Sequence, residues 1–418
     1  MAEVTSQMQS SADTSGAIDA LGKRQLNPTV WFFRRVLSCL RVGSLTVILP
    51  NGGRMEHHTG RVGPDAVLVL HRHRALRRLV FGGDVGFAEA YMRGDWSSPD
   101  LTALIELVAR NGSAVVDRLS GWMPSRVVNW LNHRAHANTR AGSRRNIEFH
   151  YDLGNDFYRL WLCRDMIYSS AIYESAQDTL EQAQARKLDA IISELDLQAG
   201  GEVLEIGCGW GALAARLGGE GIRATGVTLS PAQLEWAQGV VKKSGVADRV
   251  SLCLQDYRDL VGRYDRIVSV EMIEAVGERF LPGYFHTLAS HLKPGGRAVI
   301  QAITIAEERF QSYRAQPDFI QRYVFPGGFL PTKTLMRQRL EEGGLRLVGM
   351  QNFGQSYART LQDWHRRFDA AWPQIEQLGY GASFRRLWTY YLSYCEAGFR
   401  AGALDVGLYA LMHREAAA

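Results

Sequence analysis

Cysteine is scarce in this 418-residue chain, and its pattern excludes several architectures. The five cysteines, Cys39, Cys163, Cys208, Cys253 and Cys395, are odd in number and none forms a C-x-x-C pair. That argues against a disulfide frame or a structural zinc and for a reducing compartment, the cytoplasm. No apolar run approaches ~18 residues, so no transmembrane helix is expected. The first residues, Met1 to Ala20, are polar and rich in Ser and Ala. They lack the basic start and apolar core of a signal peptide and read as a disordered tail. No internal repeat is present.

The chain is long enough for two or three domains and a large core, and its composition is that of a globular protein. Its net charge of +5 is unevenly spread. Residues 1–150 hold 19 Lys/Arg against 12 Asp/Glu, and residues 151–418 hold 29 against 31. A basic front suits anionic lipid headgroups or nucleic acid; an ordinary solvated surface accounts for it equally well.

Val30–Val42 has helical spacing with a cationic face. Leu45–Leu49, Met55–His58 and Ala66–Leu70 read as short strands, with a hairpin signal at Asn51-Gly52-Gly53. His71 and His73 alternate with Arg72 and Arg74 without a nearby acid, so solvated or headgroup-facing side chains are expected there and no metal. Gly86–Gly94 and Leu101–Val108 read as helices. These elements define an N-terminal α+β domain over 21–118. A basic linker with Trp122, Arg126, Trp130, Arg134, Arg140, Arg144 and Arg145 follows over 119–146, a mixture suited to a membrane interface or a packing face. From Thr179 onward the pattern alternates: a helix over Leu180–Leu195, strands at 202–206, 223–229, 250–254, 265–270 and 297–303, and helices at about 212–218, 231–243 and 278–292. Alternation of this kind predicts an α/β, Rossmann-like, mostly parallel sheet whose ligand lies at the carboxyl ends of the strands. Residues 305–393 lapse into helical, aromatic-rich sequence, either a lid or pocket for an apolar substrate or an extra packing layer. Strands near 346–352 and 406–412 complete the sheet.

The stretch Val203–Gly211 reads as a buried strand running into a glycine turn and a helix start. Bare backbone at Gly207, Gly209 and Gly211 lets a ligand sit against peptide N–H groups at a helix N-terminus. The spacing is G-x-G-x-G, and the second strand ends in Thr228 with no carboxylate, unlike a dinucleotide site. Thr228 and Gln233 suit ribose hydroxyls, Asp256 an exocyclic amine, Tyr257 a ring face, and Glu205 the backbone of the turn. The set fits an adenosine without phosphate, as in S-adenosylmethionine.

Further stretches carry a resemblance: His150–Tyr158 (HYDLGNDFY), Tyr168-Ser169-Ser170-Ala171, Asp265–Val276 and Phe325-Pro326-Gly327-Gly328. Together with the glycine turn they resemble the cyclopropane fatty acid synthases and mycolic acid methyltransferases from about Asn146 to the C-terminus. The front section resembles the N-terminal domain of the longer bacterial members. The resemblance implies a class I methyltransferase domain over 147–418 with an acyl-chain-binding region at about 305–393. The implied reaction moves a methyl group from S-adenosylmethionine to a cis double bond of a phospholipid acyl chain through a carbocation. A bound bicarbonate then takes a proton and a cyclopropane ring closes. Cofactor contacts carry over to Tyr151, Tyr168, Glu205, Gly207, Gly209, Gly211, Thr228, Gln233, Asp256 and Tyr257. Glu274 matches the glutamate that holds the bicarbonate, Tyr357 a donor to the same ion, and Ile303 a backbone contact.

Three positions depart from the synthase pattern: Ser170 stands for a cysteine, Gln301 for a histidine, and Ala275 for a frequent histidine. Glutamine cannot relay a proton as histidine does. The departures resemble a branch that makes methyl- or methylene-branched chains, so ring and branched products both stay open. The expected partners are unsaturated phospholipid and an anionic membrane surface at the inner face, with a homodimer by analogy. A nucleic-acid methyltransferase is disfavoured, because Ser269–Glu274 stands where an Asn/Asp-Pro-Pro-aromatic motif is usual.

Overall fold

The computed structural model describes residues 28–119, 153–198 and 200–414. The N-terminal tail, Tyr151 and the basic linker beyond residue 119 lie outside the described residues.

A helix at Pro28–Leu37 opens the front unit, followed by β1 (Ser44–Ile48), β2 (Arg54–His58) and β3 (Asp65–Leu70). β1 and β2 form the expected hairpin, in which Gly53 N donates to Asn51 Oδ1 at 3.1 Å. β4 (Trp96–Ser97) completes a sheet of order β2-β1-β3-β4. The basic cluster at 71–78 runs into a helix, Arg74–Met92, kinked at Gly83. Arg74 Nε donates to the fully buried Asp95 carboxylate at 2.8 Å, and Arg72 and Arg78 flank it at 3.3 and 3.7 Å. Arg72 and Arg74 remain exposed, as expected, while their charged ends and that of Arg78 compensate an internal acid. His71 Nε2 lies 2.8 Å from Ser97 Oγ, and His73 Nδ1 lies 3.2 Å from Thr29 Oγ1.

The helix Leu180–Leu195 starts with a capping box. Thr179 accepts from Gln182 N, and the Gln182 side chain accepts from Thr179 N, an arrangement worth about 1 kcal/mol. Its buried face carries Leu180, Ala183, Lys187, Leu188, Ile191 and Leu195. The larger sheet then forms from β5 (Glu202–Ile206), β6 (Arg223–Thr228), β7 (Val250–Leu254), β8 (Tyr264–Val270), β9 (Leu292–Ile305), β10 (Leu345–Asn352) and β11 (Leu404–His413). Its order is β10-β11-β9-β8-β5-β6-β7, parallel from β9 through β7, with β11 antiparallel to both of its neighbours. The direction of winding reverses at β5, so a crevice opens beyond the carboxyl ends of β5 and β8.

The strand expected near 346–352 is β10, and it divides the aromatic-rich region into two crossings. Helices Glu307–Ala315, Phe319–Tyr323 and Lys333–Glu342 join β9 to β10. Helices Gly354–Ala370, Trp372–Gln377 and Ala382–Arg400 join β10 to β11. Trp364, Phe368, Trp388 and Tyr391 are buried, and Phe384 stacks on Trp388 with ring centroids 5.4 Å apart. The front unit docks on Ala382–Arg400. Thr102 Oγ1 donates to the buried Glu396 at 3.1 Å, and Arg400 bridges to Glu396 at 2.6 Å. Tyr323 Oη donates to Glu89 at 2.6 Å beside this contact. One apolar core runs through both units.

Candidate active site

The glycine turn follows directly from β5. Gly207 N and Cys208 N both donate to Val227 O, at 2.9 and 3.0 Å, which locks the turn against β6. Gly207, Gly209 and Gly211 have φ of +84°, +52° and +85°, a region costly for residues with a Cβ. The three differ in what surrounds them. A Cβ at Gly211 would lie 2.8 Å from Ala237 Cβ, and one at Gly207 3.2 Å from Met272 Cγ, whereas nothing lies within 4 Å of one at Gly209. Gly211 is therefore needed for packing, and Gly209 faces open space at the start of the helix Ala212–Gly219. A flexible, open backbone at a helix N-terminus fits a polar ligand.

Behind the turn, Glu205 is buried and accepts from Ala214 N; burial pushes its carboxyl up to about 8 against the pull of Lys187. It thus anchors the following helix. At the end of β6, Thr228 Oγ1 donates to Gln233 Oε1 at 3.0 Å, and Ser230 caps the helix Pro231–Lys243. Asp256 accepts from Arg258 N, Nε and Nη2 at 3.0, 2.8 and 2.6 Å, so an amine ligand would share it with an arginine. Tyr257 packs edge-on against Tyr284. Trp210 Nε1 donates to Asn155 Oδ1 at 2.7 Å, which ties the Asn155 segment to the glycine turn. The Tyr168 and Tyr391 hydroxyls lie 2.8 Å apart inside the aromatic layer.

A second constellation lies immediately beyond β8. Glu271 has a left-handed backbone, φ +47°, held by its N–H donating to Gln301 O at 2.8 Å. Its carboxylate is the hub. Ser170 N and Gln301 Nε2 donate to Oε1 at 2.8 and 2.7 Å, and Tyr357 Oη donates to Oε2 at 2.6 Å. Glu274, one short turn later, accepts from Ile303 N at 2.7 Å through Oε1, while its buried Oε2 has no partner among the described residues. These residues come from the ends of β8 and β9, the segment before Leu180 and the helix Gly354–Ala370. Tyr357 is seated by Phe399, 4.5 Å away between ring centroids. Met272, between the two glutamates, touches Gly207, so the acid pair borders the glycine turn.

Burial pushes both carboxyls up. For Glu271, the donors Tyr357, Ser170 and Gln301 and the charge of Lys187 oppose that push. For Glu274, burial and then the Glu271 charge raise it to about 8. Three donors stabilise an anion and one does not, so the pair holds its negative charge on Glu271 and its proton on Glu274. Burial lowers the Lys187 ammonium to about 8, while Glu271 draws it back up. Lys187 Nζ donates to Ser169 Oγ at 3.0 Å, placing a cation behind the segment Ser169-Ser170.

The structure brings together Ser170, Gln301, Ile303, Tyr357 and Glu274, as expected, with two differences. The Ser170 hydroxyl donates to Ala171 O at 3.0 Å, so its backbone N–H faces the carboxylate instead. Tyr357, expected to donate to a bound ion, donates to Glu271. Sequence reasoning missed Glu271 and Lys187 as site residues. Lys187 had a signal: it interrupts the apolar stripe of its helix one position before Leu188. Glu271 had only its place at the end of a strand bearing the ligand crevice.

Comparison with known proteins is consistent with this geometry. A family model described as mycolic acid cyclopropane synthetase matches residues 138–408. The tuberculostearic acid methyltransferase UfaA1 of Mycobacterium tuberculosis is 41% identical over 85% of each chain. The cyclopropane-fatty-acyl-phospholipid synthase of Escherichia coli K12 is 36% identical over 78% of this chain and 82% of its own. The solved mycolic acid cyclopropane synthase CmaA1, complexed with SAH and CTAB, superposes with a TM-score of 0.60 at 29% identity, covering 64% of this chain and 97% of its own. With its sheet order, glycine turn and acidic pocket now described, the chain belongs to the mycolic acid cyclopropane synthetase family of lipid-modifying methyltransferases.

Proposed function

We propose that this protein methylates the cis double bond of unsaturated phospholipid acyl chains and releases a methyl- or methylene-branched chain. S-adenosylmethionine supplies the methyl group. Gly209 leaves room for it against the backbone, and Thr228, Gln233, Asp256 and Tyr257 line its adenosine end. The observation that carries the reading is the buried acid pair bordering the glycine turn, placed to receive a proton beside the site of methyl delivery. The aromatic layer of Tyr357, Trp364, Phe399 and Tyr391 excludes water and tolerates a carbocation.

Two observations favour a branched product. Gln301 stands beside the acid pair and cannot take or pass on a proton. The relative that is 41% identical over most of both chains is named for tuberculostearic acid. Ring closure is the second reading, supported by the likeness to the Escherichia coli synthase. We further propose that residues 21–118 form a membrane-facing domain whose positive charge docks on anionic lipid, and that the helices from Glu307 to Ser393 within the methyltransferase domain 147–418 receive the acyl chain.

The test is mass spectrometry with proton and deuterium NMR of acyl chains from cells expressing the protein and fed methionine with a deuterated methyl. Full retention of the methyl deuterium gives a methyl-branched alkene. Loss of one deuterium with the remaining two in the vinyl region of the deuterium spectrum gives a methylene chain, and loss of one with high-field ring methine protons gives a cyclopropane. Absence of label from the acyl chains would overturn the lipid reading. Vesicle co-sedimentation that falls with added salt and rises with anionic lipid supports the docking; insensitivity to both refutes it.

A further inference from the structure

The hydrogen bonds around Glu271 describe an anion site that is already filled. Ser170 N, Gln301 Nε2 and Tyr357 Oη come from three separate parts of the chain and converge on one carboxylate. That carboxylate belongs to the protein. It is half-buried, and its backbone is held in a left-handed conformation that residues with a Cβ adopt at a cost. Strain of this kind persists where the surrounding structure demands it. A second anion in the same pocket would face the Glu271 charge directly, with Lys187 as the cation acting on it. The same donors cannot serve both.

We propose that Glu271 is the base of the reaction, its carboxylate occupying the anion position defined by Ser170, Gln301 and Tyr357, so that this protein removes the proton without bound bicarbonate. The inference rests on the lipid-methylation reading. The alkene electron pair forms the bond to the incoming methyl and leaves the neighbouring chain carbon positive. A Glu271 oxygen then takes a proton from carbon. The C–H electron pair becomes the C=C bond of a branched chain, or the third C–C bond of a ring when the proton comes from the methyl. Carbocation and carboxylate are both neutralised, and the proton passes to water after product release. Tyr357 and Gln301 are positioning residues: they hold the carboxylate in its ionised form and fix its direction. Glu274, holding Ile303 N with its own proton retained, keeps the pocket at a single negative charge.

The experiment uses the full chain, S-adenosylmethionine and vesicles of unsaturated phosphatidylglycerol in buffer stripped of carbon dioxide, with and without added sodium bicarbonate. The wild-type rate is expected to be the same in both. Glu271→Gly relieves the left-handed backbone and empties the carboxylate position, leaving three donors aimed at it. Its rate should fall by on the order of 10²–10⁴, the contribution of a positioned general base, and recover when bicarbonate is added. Glu271→Gln, which fills the site without a base, should fall equally and show no recovery. Wild-type dependence on bicarbonate, or a Gly variant with unchanged rate, overturns the proposal, and the wild-type measurement decides it even where the variants fail to fold. A turnover-independent readout separates this from the lipid reading. Line broadening of ¹³C-bicarbonate by the Gly variant and not by the wild type supports the filled site even if no acyl product forms; broadening by the wild type refutes it.

Discussion

Tyr357→Phe isolates one hydrogen bond of the site. The hydroxyl donates to Glu271 Oε2 at 2.6 Å, and the ring is held by Phe399 and Trp364. Phenylalanine keeps the ring and removes only the donor. A hydrogen bond to a charged group contributes about 1.5–3 kcal/mol, and one pKa unit corresponds to about 1.36 kcal/mol. Loss of the donor should therefore raise the Glu271 carboxyl by about 1–2 units beyond its already raised value. The base acts only when ionised, so activity is lost as pH falls through that value. The acidic limb of the kcat/KM profile should move to higher pH by about 1–2 units, while the plateau at high pH is largely retained. The assay is transfer of labelled methyl to vesicle lipid across a pH series. A rate lowered uniformly at every pH, with the limb in place, would mean that Tyr357 merely shapes the pocket and would refute the assignment of Glu271 as the titrating group.

Three further outcomes follow from particular contacts. Gly211→Ala places a Cβ 2.8 Å from that of Ala237 at φ +85°, and should cost about 2–4 kcal/mol from overpacking plus left-handed strain, read as a lower denaturant midpoint. Glu274→Gln keeps an acceptor for Ile303 N and the neutrality of the protonated acid, so it should retain S-adenosylmethionine binding by calorimetry and most turnover; loss of most turnover would show that Glu274 acts as an ionised group. Glu205 and Glu274 both have folded-state carboxyls raised to about 8. Their contribution to stability is therefore full below about pH 4.5 and is lost as pH rises through about 8. Glu205→Gln and Glu274→Gln should each flatten the fall in melting temperature between about pH 4.5 and about pH 8; a fall as steep as the wild type's would show that burial does not hold these protons.

Much of the sheet was legible from local pattern. Buried strands such as Val203–Ile206 alternate with helices of clear period, and the turn glycines punctuate them, so β5 to β9 and the helices between them fall where periodicity places them. Residues 71–74 are exposed, as their run of Arg and His suggests, yet nothing local shows that Arg72, Arg74 and Arg78 also reach the buried Asp95, which lies 17 residues beyond Arg78. The strand near 346–352 was legible as well; that it splits the region 305–393 into two crossings follows from its pairing with β11.

The sequence by itself determined the sheet and the glycine turn, because these depend on contacts within a strand–turn–helix unit. It also placed Glu274, Gln301, Ile303 and Tyr357 in one site through family motifs. Only the tertiary structure decided which carboxylate those donors serve. Ser170, Gln301 and Tyr357 lie 101, 30 and 86 residues from Glu271 along the chain. Their convergence comes from pairing β8 with β9 and laying the helix Gly354–Ala370 across the strand ends. A carboxylate becomes a hub by the directions from which donors approach it, and those directions exist only in the folded chain.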